Sequence, residues 1–175
     1  MTNDMRTASG DRPTSVERQG DVDLFVTRTF AAEVERVYAA WTKPALFMRW
    51  WAPRSMGATI TDARMDVRTG GSYQITFAHP SSPTGMTFYG RYLEVIANER
   101  LVWTNDEGGD GHGDGPGDGG AVTTVTFTPR DGATLLNLHD RYPTKDALDQ
   151  AYDGMDGAFP EQFSQLDALL AYPAP

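Results

Sequence analysis

Between Pro53 and Tyr142 the chain keeps an apolar period of two with few breaks. The segments "GATITDARMDV", "GSYQITF", "MTFYGRYLEVI", "RLVWTN", "VTTVTFTP" and "TLLNLHDRY" follow one another, and in the second Tyr73, Ile75 and Phe77 alternate with polar residues. Successive strand residues point to opposite faces, so such segments build a sheet with one apolar side. The last two are separated by "RDG", a tight-turn signal. Short connections of this kind predict an antiparallel meander. Its apolar face needs a cover, and this requirement limits the fold more than any other feature of the chain.

Both ends of the chain offer that cover. Downstream, Met155, Phe159, Phe163, Leu166 and Leu170 recur at helical spacing, and Ala147, Leu148 and Tyr152 extend the stripe backwards. Thr144 is placed to cap it. Gly154, Gly157 and Pro160 fall inside the pattern, so a kink or break is expected near Pro160, where a helical proline costs ~3 kcal/mol. Upstream, "VDLFVTRTF" (22–30) reads as a strand. Val34, Val37, Tyr38 and Trp41 then take the i, i+3, i+4, i+7 positions of an amphipathic helix. Ala31 and Ala32 cap that helix poorly, Lys43 before Pro44 ends it, and Pro44 opens a second short helix. The order is strand, two short helices, six strands and one long helix: an α+β chain.

Composition removes several functions. There is no cysteine, which excludes disulfides, thiolate nucleophiles and Cys-ligated zinc. The net charge of −9 opposes nucleic acid as a partner. Five of the acids lie between Asn105 and Gly120, and without them the charge is about −4. No apolar run approaches the ~20 residues of a membrane span. Residues 1–20 lack the order of a secretory signal and are expected to form a disordered polar arm, with one domain over 21–172; a cytoplasmic location follows as an expectation.

The segments "TRTFAAEVERVYAAWTKPALFMRWWAP", "GGSYQITF", "GRYLEVIANERLVWT", "VTFTPRDGATLLNLH" and "GMDGAFPEQFSQLDALL", running over about residues 22–170 in this order, resemble the START-like (helix-grip) superfamily. Within it they are most similar to the homologues of the activator of the heat-shock ATPase, the AHSA-like family. The helix–Pro–helix–Trp-Trp segment and "RLVWT" are the most specific parts. Three features depart from the family pattern. Ala32 stands where a proline usually precedes the first helix, the Gly/Asp-rich insert is extra, and proline inside the last helix is unusual. The resemblance implies a curved antiparallel sheet wrapped around a long C-terminal helix, with an apolar cavity between them. The superfamily includes lipid carriers, hormone receptors, polyketide cyclases and co-chaperone domains, so lipid binding and a role in the stress response both come with it as implications.

Candidate residues divide by chemistry. Trp41, Trp51, Tyr73, Phe77, Phe88, Trp103, Met155, Phe159 and Phe163 are expected to line a ligand cavity, with His139 facing it and Asp140 on the opposite face. Trp50 and Trp51 are adjacent and cannot share a face. Trp50 continues the stripe of Leu46 and Phe47 into the interior, which leaves Trp51 near the cavity mouth. Asp62, Arg64 and Arg91 are further polar groups on strands; an arginine inside a cavity would anchor a carboxylate, whereas an exposed strand arginine is the ordinary case. No histidine pair has metal spacing and no serine sits in a nucleophile elbow, so no catalytic residue, metal or cofactor is assigned. The Gly/Asp-rich stretch 105–120 contains a formal G-x-G-x-x-G (Gly115, Gly117, Gly120), but a strand follows it where a dinucleotide site needs a helix. It reads as a flexible solvated loop.

The expected function is non-enzymatic binding of a small hydrophobic or amphipathic molecule. A cyclase or aromatase acting on a polyketide-like substrate is the alternative, and a co-chaperone-like interaction domain the second. A homodimer and a chaperone partner stay open.

Overall fold

The structure is a computed structural model and describes residues 14–105, 120–155 and 158–172. Eight strands form one antiparallel sheet: β1 (Ser15–Gln19), β2 (Asp23–Phe30), β3 (Thr59–Met65), β4 (Ser72–His79), β5 (Ser82–Ile96), β6 (Arg100–Thr104), β7 (Val122–Arg130) and β8 (Ala133–Arg141). Their order across the sheet is β1-β2-β8-β7-β6-β5-β4-β3. The six strands from β3 to β8 are therefore a simple meander, and β2 closes back on its last strand. The Asp131–Gly132 turn between β7 and β8 has positive φ at both residues, the geometry of a two-residue hairpin. Strand β5 pairs with β4 through its first part and with β6 through its last. Register shifts next to Tyr92 and between Ile60 and Asp62 add local bends.

The disordered polar arm expected over 1–20 does not hold for residues 15–19, and residues 1–13 lie outside the described residues. Residues 15–19 pair with β2, Ser15 opposite Thr27 and Gln19 opposite Asp23. A backbone ladder needs no apolar side chain on an edge strand, and Val16 is the one residue here that packs on the core.

Two helical units cover the inner face. Helix α1 (Val34–Thr42) buries Val34, Val37 and Trp41 and has no side-chain cap at Glu33; α2 (Pro44–Phe47) begins on its proline. The C-terminal helical region consists of α3 (Lys145–Met155) and α4 (Ala158–Leu170). Thr144 Oγ1 accepts the Ala147 N–H at 3.1 Å and caps α3. Pro160 stands in the first turn of α4, where a missing N–H breaks no helical bond.

Helix α4 is fixed by polar as well as apolar contacts. Phe159, Phe163, Leu166 and Leu170 are buried. At its far end Asp167 forms an ion pair with Arg28, which is 5% exposed on the inner face of β2 and donates also to Thr14 at 2.9 Å. At its near end three side chains hold the backbone that follows the tryptophan pair. Gln162 Nε2 donates to the Trp51 carbonyl at 2.6 Å, and Gln165 Nε2 donates to those of Trp50 and Ala52 at 2.8 and 2.9 Å. Glu161 accepts from the Ser55 hydroxyl and from the Ser55 N–H, the latter at 2.8 Å, and these bonds hold its carboxyl below the usual range.

One glycine fixes how closely β5 approaches its neighbours. A Cβ on Gly90 would lie 2.1 Å from the Thr104 carbonyl oxygen and 2.3 Å from the Tyr73 ring. Backbone cannot yield there cheaply. Gly90→Ala is expected to lower unfolding stability by roughly 1–3 kcal/mol, the usual cost of overpacking. Urea unfolding followed by circular dichroism checks this; an unchanged midpoint would show that the strands are not in contact at this point.

Candidate functional site

The interior is organised around Trp41. Its ring packs at 4.8 Å from Trp50, 5.6 Å from Trp51, 5.9 Å from Trp103 and 6.3 Å from Phe163 (centroid distances). The two adjacent tryptophans separate as their positions demand. Trp50 is fully buried, and its Nε1–H donates to the Ala40 carbonyl at 2.9 Å, tying the segment after α2 to α1. Trp51 is half-buried and stacks on Phe47.

Beside this cluster lies a cavity of about 200 Å³. Of the side chains singled out in the sequence, Trp41, Trp51, Tyr73, Phe77, Phe88 and Trp103 line it. Met65, Ile75, Tyr92 and Leu101 complete most of the wall. The strands deliver them by alternation: Tyr73, Ile75 and Phe77 leave β4 on one face, and Phe88 meets Phe77 edge-on at 5.2 Å. Burial pushes the Tyr92 hydroxyl up, as it does that of Tyr38 nearby. Trp41 adds a polar feature to a mostly apolar wall. Its indole N–H is buried and has no acceptor among the described residues. A buried donor without an acceptor costs free energy and is uncommon in native interiors.

A second cavity, about 430 Å³, adjoins the first and shares Trp51, Trp103 and Asn105 with it. Phe159 lines this one, together with Asp140, Thr123 and Gln150. Asn105 is the polar link between the two. Its Oδ1 accepts from Trp103 Nε1 at 3.3 Å and lies 3.4 Å from the Tyr73 hydroxyl, which donates to the Thr104 carbonyl at 2.7 Å. Its Nδ2 donates to Thr123 Oγ1 at 2.8 Å, and Thr123 in turn donates to Asp140. A line of hydrogen bonds thus runs from the inner, apolar cavity to a carboxyl in the outer one.

The structure corrects the face assigned to His139. Thr134, Leu136, Leu138 and Asp140 are the buried side of β8, so Asp140 points inward and His139 outward. On the outer face His139 stacks on Phe25 with ring centroids 4.4 Å apart and bonds Asp23 at 2.7 Å. The two leucines on the parity of Asp140 outweigh one histidine in setting the register. Other residues also fall away from the cavities. Phe163 is fully buried in the core between Phe30, Trp41 and Trp50. Arg64 and Arg91 are exposed, and Arg64 pairs with Asp62 at 3.0 Å. The side chain of Met155, and residues 106–119 of the Gly/Asp-rich loop, lie outside the described residues. Of His139, Asp62, Tyr73, Arg64 and Arg91, only Tyr73 lines either of these two cavities, so this set does not converge there as an acid–base site. Among the described residues no cluster of metal-ligating side chains occurs, and no helix is long and apolar enough to cross a membrane.

A curved antiparallel sheet gripping helices around an aromatic interior defines the helix-grip class. The family model described as "Activator of Hsp90 ATPase homolog 1-like protein" matches residues 31–171, and the chain belongs to that family. Solved structures agree. A protein from Rhodobacter sphaeroides is similar with a TM-score of 0.77 and 25% identity, over 91% of this chain and 98% of that one. One from Mycobacterium smegmatis gives 0.75 and 25%, over 91% and 98%. The AHSA1-like protein from Aeromonas hydrophila gives 0.65 and 22%, over 86% and 99%. No curated protein sequence matches the chain.

Asp140 is buried, and desolvation pushes its carboxyl up to about 6 against the opposing pull of the Thr123 hydrogen bond and, more weakly, of neighbouring His139. An acid whose folded pKa lies above its unfolded one binds a proton more tightly when folded. Its ionisation then opposes folding as the pH rises from about 4 to about 6. Asp140→Asn should match the wild type in stability near pH 4 and exceed it at pH 7 by roughly 1–3 kcal/mol. Paired urea titrations across that range check it. A variant less stable at pH 7 would reveal a stabilising partner for the carboxylate.

Proposed function

We propose that this chain is a non-enzymatic binder of a small hydrophobic or amphipathic molecule, taken up between the sheet and its helical cover. The observation that carries this reading is the inner cavity. Aromatic side chains from α1, the Trp-Trp segment, β4, β5 and β6 surround it, and a buried indole donor among them has no acceptor among the described residues. Concave apolar sites with few, placed polar groups are the usual form of small-molecule pockets, at about 300–1,000 Å³. The inner cavity alone falls below that range, and the outer cavity beside it falls within the range. Trp41, Trp51, Tyr73, Phe77, Phe88 and Trp103 are the contacts proposed for the apolar part of the ligand, and Phe159 for the outer part.

The apolar dye N-phenylnaphthylamine tests the reading. Its fluorescence should rise saturably on titration with the protein. Met65→Trp, which fills the inner cavity from β3, should weaken uptake by roughly tenfold or more, equivalent to about 1.4 kcal/mol, while leaving the far-UV circular dichroism unchanged. Linear, non-saturable uptake by the wild type would contradict it.

A further inference from the structure

Among the described residues Asp140 is the one ionisable carboxyl in either cavity wall, and it is 4% exposed. Among the described residues its sole hydrogen bond comes from Thr123 Oγ1, although a carboxylate accepts several. Among the described residues no lysine, arginine or histidine lines the inner or the outer cavity. The nearest histidine, His139, is on the opposite face of the sheet and committed to Asp23. Opposite Asp140, α3 presents Ala147, Gln150 and Ala151, α4 presents Phe159, and the other titratable group in this wall is Tyr142. Thr123 cannot compensate further, since it already accepts from Asn105 while donating to Asp140. A buried carboxylate without a counter-charge is costly, and chains that keep one ordinarily pair it.

We infer that the outer cavity is a head-group subsite for a cation: the ligand carries a protonated amine that pairs with Asp140, while its apolar body enters the aromatic inner cavity past Trp51, Trp103 and Asn105. This inference rests on the binding function proposed above and adds the chemical class and orientation of the ligand. Two further observations agree with it. The two cavities adjoin, with Trp51, Trp103 and Asn105 common to both walls. The elevated carboxyl of the free protein is the state that an ammonium would reverse, because an adjacent positive charge favours the ionised form.

The test uses the full chain and three probes with one apolar body: naphthylethylamine, naphthylethanol and naphthylacetate, titrated by calorimetry at pH 7.5. The amine should bind tightest and the acetate weakest, with roughly a tenfold or larger gap between them. Asp140→Asn should close most of that gap while the alcohol's affinity stays within about threefold. The net charge of the protein alone would also favour the amine, but the variant leaves nearly all of that charge in place, so persistence of the gap in Asp140→Asn overturns the inference. Equal affinity of the three probes for the wild type overturns it too. In both cases saturable uptake of N-phenylnaphthylamine would leave the underlying binding function standing. If neither the probes nor that dye bind, both fall together.

Discussion

The structure depends on the packing around Trp41. That one side chain touches Trp50 and Trp51 from the segment after α2, Trp103 from β6, Phe127 from β7 and Phe163 from α4. Every layer of the fold therefore meets at one indole. Edge-on aromatic pairs contribute about 0.5–1.5 kcal/mol each beyond area burial, but the arrangement matters more than the sum. Large rigid rings meeting at angles fill space on one side and leave a gap on the other. The inner cavity is the gap, and it exists because β4 and β5 bring Tyr73, Phe77 and Phe88 to the far side of it.

The polar clamp explains why the gap persists. Rings around a void gain contacts by collapsing into it. Here the backbone of Trp50, Trp51 and Ala52 is bonded to Gln162 and Gln165 of α4, and Trp50 is bonded to α1. Gly90 lets β5 approach the Tyr73 ring and the Thr104 carbonyl closely, and the Tyr73 hydroxyl is bonded to that same carbonyl. The tryptophan segment and the strand wall are thus both held by hydrogen bonds, and the space between them stays open. Pre-organisation of this kind lowers the ordering cost of binding.

Much of this was legible in the residues. Period-two segments from Gly57 onward gave the six-strand meander, and the stripe at Val34, Val37 and Trp41 gave the first helix, because both patterns are local and strongly periodic. The divergent paths of Trp50 and Trp51 followed from adjacency alone. Strand β1 was not legible: all its residues but Val16 are polar, and the segment is held extended by its partner strand. The parity of β8 was ambiguous because Leu135 and Leu136 are neighbours of opposite face. Once Leu136 and Leu138 turn inward, Asp140 must follow. The outer cavity was missed for the same reason. Its polar members Asn105, Thr123 and Asp140 come from three separate places in the chain, and only the register of β7 on β8 and the end of β6 brings them together.

Four tryptophans give four indole N–H signals, and their positions set them apart. The central claim is that a ligand enters the cavity bordered by Trp41, Trp51 and Trp103, while Trp50 stays a structural rivet bonded to Ala40. Titration of nitrogen-labelled protein with N-phenylnaphthylamine, followed by indole resonances in two-dimensional NMR, reads this directly. Saturable shifts at Trp41, Trp51 and Trp103, with Trp50 least affected, are the predicted result. Four unshifted signals, or a response largest at Trp50, would contradict it.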